Sequence, residues 1–144
     1  RFDGGASGVL IATQVAAGEE NDISIRLYGE KGGMEWHQAE PNSLYVKWPD
    51  RPMEVVRTGN GYMGAAARAN TRTPGGHPEG YIEAFANIYR NFARTVRARR
   101  EGREPQPEWT DFPSVEDGIR GMQFIETMVR SGSDPDRKWT DWVG

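Results

Sequence analysis

Two histidines serve a chain of 144 residues, and one of them, His77, stands two places before Glu79 in the run Gly76-His77-Pro78-Glu79-Gly80-Tyr81. A neutral imidazole donates to or accepts from a hydroxyl such as a sugar's, and it exchanges protons near neutral pH. Main-chain N–H groups at the start of a helix attract anions and polar oxygens. A histidine beside a carboxylate at that place suits the holding of a polar ligand. The same spacing is met by a histidine that caps the helix and a solvated first-turn carboxylate. On spacing alone this structural role is the plainer reading.

The other chemistry-bearing residues are weaker candidates. His37 lies near Glu35 and Glu40, and strand alternation puts Glu35 and His37 on one side with Trp36 on the other. That pair would hold a metal only with further ligands, and none is evident. Gly29-Glu30-Lys31-Gly32-Gly33 superficially resembles a phosphate loop. It lacks the GxGxxG spacing and leads into a strand, so a hairpin turn is the better reading. The arginines between Arg94 and Arg103 suit a phosphate-binding stripe or the negative end of a helix dipole. The net charge of -3 favours the dipole and argues against a nucleic-acid partner.

The elements that carry these residues follow from pattern. Ala6 to Ala16 is rich in Val9, Leu10, Ile11, Thr13 and Val15 and predicts a strand, entered from Phe2 through an Asp3-Gly4-Gly5 turn. Asp22 to Tyr28 alternates, with Ile23, Ile25 and Leu27 on one face. Further strands are expected over Met34 to His37, Ser43 to Trp48 and Met53 to Arg57. Connections this short demand antiparallel neighbours. Thr58 to Gly76 carries five glycines, one proline and two arginines, with a helical turn at Ala65 to Arg68. A loop of that length inside a compact domain is often functional.

A long helix is then predicted with Pro78 at its first position and Glu79 in its first turn. Ile82, Phe85, Tyr89, Phe92 and Val96 form its apolar stripe, and Gly102 stops it. A second helix starts at Ser114, where Ser114-Val115-Glu116-Asp117 resembles a capping box. Val115, Ile119, Met122, Ile125 and Val129 make its stripe. Gly118 and Gly121 each cost about 1 kcal/mol relative to alanine, which close packing on a sheet would offset. Lys138 to Val143 is a candidate last strand.

Composition bounds the class. Hydrophobic residues make up 36% and charged residues 27%, as in soluble globular proteins. One domain spanning residues 1–144 is expected. The absence of cysteine excludes disulfides and thiolate chemistry and permits a reducing cytoplasm, the location we expect. No apolar run approaches the roughly 18 residues of a membrane helix. The five tryptophans, Trp36, Trp48, Trp109, Trp139 and Trp142, suit either a core or an interface. Because Arg1-Phe2-Asp3 opens the chain in place of a methionine, we expect a fragment of a longer protein.

Four stretches together resemble one family: Gly4 to Leu10, Ile25 to Trp36, Gly76 to Tyr89 and Phe112 to Ile125. The Tyr28-Gly29-Glu30-Lys31-Gly32 turn followed by Trp36, the His77-Pro78-Glu79-Gly80-Tyr81 run and the Asp117-Gly118 helix are specific as a set. The chain is similar to the C-terminal domain of Gfo/Idh/MocA oxidoreductases. The resemblance implies an α+β fold, a largely antiparallel mixed sheet with helices packed on one face. It implies a sugar, polyol or derivative as substrate and a homo-oligomer formed through the open sheet face. NAD or NADP would belong to an N-terminal Rossmann domain of the parent protein and not to this piece, which lacks the glycine-rich dinucleotide fingerprint. The family's Glu-Lys-Pro and Asp-x-x-x-His motifs are likewise absent, so no catalytic residue is assigned and the piece alone is expected to be inactive. His77 resembles a loop histidine of part of the family, and Glu79 and Arg72 join it as substrate-binding candidates. The alternative is a free-standing carbohydrate-binding or scaffold module without catalysis.

Overall fold

The computed structural model describes residues 2–136 and 139–142. Their packing divides the chain into two units, residues 1–60 with 74–78, and residues 61–73 with 79–144.

The first unit is a four-stranded antiparallel meander in the order β1-β2-β3-β4. The strands are β1 (Ser24–Gly29), β2 (Gly32–His37), β3 (Ser43–Lys47) and β4 (Glu54–Arg57). They lie within two residues of the positions that alternation predicts. Gly29 pairs with Gly32, so β1 and β2 are joined by a two-residue turn. Register sorts the side chains by face. Ile25, Trp36, Leu44 and Val56 form one cross-strand row, and Leu27, Met34 and Val46 form the next on the same side. Arg26, Glu35, Tyr45 and Val55 line up on the opposite side. The Trp36 indole N–H donates to the Pro41 carbonyl at 3.1 Å, which ties the β2–β3 turn to the sheet.

Two glycines permit close approaches here. A Cβ on Gly32 would sit 2.6 Å from the Lys47 carbonyl oxygen, under the Trp48 ring. Gly59 has φ +79°, and a Cβ there would meet Pro74 at 2.6 Å. Its carbonyl accepts from the Gly75 N–H at 3.0 Å.

Ala6 to Ala16 departs from expectation. The Asp3-Gly4-Gly5 turn forms, with Gly5 donating to the Phe2 carbonyl at 2.9 Å. Beyond it no strand develops, and Val9 is 89% exposed. β-propensity expresses how well a side chain fits a pleated, half-buried surface. No second strand offers these residues that surface within the described structure.

The second unit is helical: α1 (Ala65–Asn70), α2 (Tyr81–Arg100), a 3-10 turn (Pro107–Trp109) and α3 (Val115–Gly132). Sheet and helices together make an α+β chain. α2 starts three residues later than Pro78 suggests. Gly80 is its N-cap, and Glu83 reaches back to accept from the Gly80 N–H at 2.9 Å, the returning half of a capping box. Gly102 ends the helix at φ +69°, with the Arg103 N–H on the Ala98 carbonyl at 2.9 Å.

The buried side of α2 is Asn91, Thr95 and Ala98, not the predicted apolar stripe, of which Ile82 is 78% exposed. The segment that connects α2 to α3, residues 101–114, explains the choice. Thr95 donates to the Trp109 carbonyl at 2.7 Å and Asn91 to the Asp111 carbonyl at 3.3 Å, so main-chain acceptors on the connector select polar partners. Phe92 meets Phe112 edge to face, ring centres 5.6 Å apart.

α3 begins as predicted. Ser114 Oγ accepts from the Asp117 N–H at 3.1 Å and Asp117 Oδ2 accepts from the Ser114 N–H at 2.9 Å. Among the described residues a Cβ at Gly118 or Gly121 would meet nothing within 4 Å, so no close packing there accounts for those glycines. Of the candidate last strand, Lys138 and Val143 lie outside the described residues, and 139–142 form no regular element. No described helix is long and apolar enough to cross a membrane.

Candidate functional site

Arg72 and Glu79 come together; His77 stands on a turn. Glu79 precedes the α2 N-cap, so its carboxylate is not spent on its own helix. Oε1 accepts from the main-chain N–H of Arg72, from the Thr73 N–H at 2.6 Å and from the Thr73 hydroxyl at 3.1 Å. Oε2 pairs with Arg72 Nη2 at 3.1 Å, and the Glu79 side chain is 11% exposed. Burial opposes its ionisation. The Arg72 and Thr73 N–H groups, the Thr73 hydroxyl and the Arg72 guanidinium outweigh burial and hold the carboxyl below its ordinary range.

Arg72 continues the network. Its Nη1 donates to Asn87 Oδ1 and its Nη2 to the Glu83 carbonyl at 3.3 Å. Asn87 Nδ2 donates to the Asn70 carbonyl at 3.0 Å. One turn along, Arg90 Nη2 donates to the Ala69 carbonyl at 2.8 Å and to Asn70 Oδ1 at 3.3 Å. The segment from Ala69 to Thr73 is thus fastened to the first half of α2 through side chains. The family resemblance named Arg72 and Glu79 as substrate-binding candidates and left out Asn70, Asn87 and Arg90, which share their network. The available signal was asparagine at positions 87 and 91 inside a helix, where it is a poor former unless its amide is used.

His77 is exposed, and its N–H donates to the Pro74 carbonyl at 3.1 Å in a turn that Gly76 completes at φ +87°. The expectation that it sits at a helix N-terminus is corrected, since that N-terminus belongs to Gly80.

On the sheet, Glu35 and His37 do share a side. His37 Nε2 is 2.8 Å from Glu35 Oε1, Arg26 Nε is 3.2 Å from the same oxygen, and Lys47 Nζ pairs with Oε2. The Lys47 and His37 hydrogen bonds, opposed by desolvation and aided by the charges of Lys47 and Arg26, hold the Glu35 carboxyl down at about 2. Glu40 accepts from the Tyr45 hydroxyl at 2.7 Å and from the Ser43 hydroxyl at 2.9 Å. Among the described residues no group of three or more His, Asp or Glu is arranged to hold a metal ion.

The sequence pattern of the oxidoreductase family's C-terminal alpha/beta domain matches residues 1–138. This chain belongs to the Gfo/Idh/MocA family. An uncharacterized oxidoreductase of Bacillus subtilis, YfiI, is 31% identical over 132 residues, 92% of this chain and 34% of the relative. The crystal structure of an oxidoreductase from Sinorhizobium meliloti superposes with TM-score 0.80 at 40% identity, covering 90% of this chain and 35% of that one. An inositol dehydrogenase homolog from Azotobacter vinelandii, complexed with NADH and myo-inositol, gives TM-score 0.78 at 30% identity, covering 89% and 34%. The chain spans about a third of the length of these relatives.

Proposed function

We propose that this chain is the substrate-binding and oligomerisation domain of a nicotinamide-dependent oxidoreductase acting on a sugar, polyol or derivative. The observation that carries the reading is its likeness to the inositol dehydrogenase homolog whose crystal holds both NADH and myo-inositol. In that reading, His77 meets substrate hydroxyls from its exposed turn, and Arg72 and Glu79 are the other substrate-binding candidates. The apolar row Ile25, Trp36, Leu44 and Val56 gives the sheet a face suited to a second copy. The reducing cytoplasm suits a chain without cysteine.

NAD or NADP would supply or accept the hydride. No residue of this chain is assigned to hold it. The glycine-rich run at 29–33 is a β-hairpin whose Gly32 lies against the Lys47 carbonyl, and it opens no helix toward a pyrophosphate. What these residues do is bind and orient: an imidazole offers one donor or acceptor to a hydroxyl, and a guanidinium held at both ends keeps its geometry.

The test is kinetic. In the full-length gene product, His77→Ala is expected to lower kcat/KM for the polyol about tenfold or more, as loss of a hydrogen bond made to reacting substrate does, with nucleotide affinity unchanged. Unaltered kcat/KM on the true substrate removes His77 from the site.

A further inference from the structure

A groove of about 670 Å³ opens on the helical unit between α2 and the residues that lead into α3. That is the size range of small-molecule sites, roughly 300–1,000 Å³. Its polar wall is Asn70, Asn87, Thr110, Asp111 and Asp117; its apolar wall is Ala84, Ile88, Phe112 and Pro113. None of these is Arg72, Glu79 or His77.

The hydrogen-bonding inventory of this wall is fixed by what the fold has already used. Asn87 Oδ1 is taken by Arg72, and Asn87 Nδ2 gives one hydrogen to the Asn70 carbonyl and retains a second. Asn70 Nδ2 gives one hydrogen to the Ala66 carbonyl and likewise retains a second. Both amides are therefore oriented by protein contacts and offer donors. The Thr110 hydroxyl donates to the Pro107 carbonyl at 2.8 Å and is left as an acceptor. Asp117 Oδ2 is used by Ser114, while Oδ1 stands 3.8 Å from Arg120 Nη1. The Asp111 carboxylate makes no hydrogen bond or ion pair among the described residues; the Asp111 group that is engaged is its carbonyl, by Asn91.

Oriented amide donors facing carboxylate and hydroxyl acceptors, over an apolar wall carrying the Phe112 ring, match the alternating O–H and C–H surface of a polyol. No arginine or lysine lines the groove, and two carboxylates do. Phosphorylated sugars and sugar acids would meet like charge at Asp111, whose carboxylate has no ion-pair partner among the described residues. The geometry points to a subsite for neutral polyhydroxylated ligands at Asn87 and Asp111 that rejects their anionic derivatives. It rests on the function proposed above for the choice of a polyol as ligand.

The experiment is an NMR titration of the 144-residue chain, isotope-labelled, with myo-inositol and separately with glucose 6-phosphate. The expected result is saturable movement of the Asn87 side-chain amide and of the Asp111 and Phe112 main-chain signals with myo-inositol, and none with the phosphate. Asp111→Asn keeps the side chain's size and should weaken that binding about tenfold, as loss of a hydrogen bond to a charged group does. Silence at these signals overturns the subsite, as does an equal response to glucose 6-phosphate or undiminished binding by Asp111→Asn. The full-length enzyme separates the two readings. His77-dependent turnover of polyols with a silent groove sinks the subsite alone, whereas absence of polyol turnover sinks the proposed function whatever the groove signals do.

Discussion

Arg72 is gripped by Glu79 at both ends: its main-chain N–H lies on one carboxylate oxygen and its guanidinium lies 3.1 Å from the other. One side chain thereby fixes both the course of the backbone at residue 72 and the direction of the cation. Thr73, donating twice to the same oxygen, extends the hold by a residue.

Replacing that acceptor has a definite consequence. Glu79→Gln puts an amide N–H₂ against the donors of Arg72 and Thr73, and a charge-assisted acceptor in a largely buried position is lost. The expected cost is about 1–3 kcal/mol, read from urea unfolding at pH 7. The native carboxyl is held below its ordinary value of 4.5, so its contribution is full above that value and is lost as pH falls through the lowered one. Wild-type stability should therefore drop more steeply than that of the variant below pH 4.5. Identical acid profiles would mean that the carboxylate contributes no charge-dependent stability.

Glu35 gives a second titration. Its folded value of about 2 lies below the ordinary 4.5, so the stability it lends the sheet is complete above pH 4.5 and disappears between there and about pH 2. Lys47 provides the largest contribution to the shift. Lys47→Met should move the Glu35 carboxyl resonance to titrate closer to 4.5 while the strands stay paired. A midpoint still near 2 would assign the effect to Arg26 and His37 instead.

The α3 cap is separable from both networks. Ser114→Ala removes the acceptor for the Asp117 N–H and should cost about 1 kcal/mol, with helical circular dichroism lost first. Ser114→Gly should cost only a few tenths, because a bare N-cap leaves the orphan N–H groups open to water.

Gly121→Ala tests the open side of α3. With nothing within 4 Å of the added methyl, alanine should stabilise the chain by up to about 1 kcal/mol, seen as a higher thermal midpoint. A lower midpoint would show that a neighbour occupies that space in solution.

The sheet was legible because alternation and turn residues agree along 22–57: each strand has its partner in the next segment, a few residues away. α3 was legible from Ser114 and Asp117 for the same local reason. Ala6 to Ala16 misled because strand propensity carries no information about whether a partner is present. The start of α2 was displaced because Pro78 is an acceptable first residue, while the deciding contact is the Glu83 carboxylate on the Gly80 N–H. Arg72 and Glu79 were named through the resemblance, but their mutual grip crosses an irregular loop that no periodicity describes. Asn87 and Arg90 went unseen because their partners are carbonyls of the 69–70 backbone, invisible to side-chain pattern.

The meander order leaves β1 and β4 as the two rims of the described sheet, and both are guarded by charge. Arg26 stands mid-way along β1, and Glu54 and Arg57 close the ends of β4. Two molecules meeting rim to rim through β1, in a register centred on residue 26, would set guanidinium against guanidinium, a repulsion that discourages endless strand-by-strand stacking. The oligomer proposed above would then form not by rim-to-rim stacking but through the flat of the sheet, where Ile25, Trp36 and Leu44 lie.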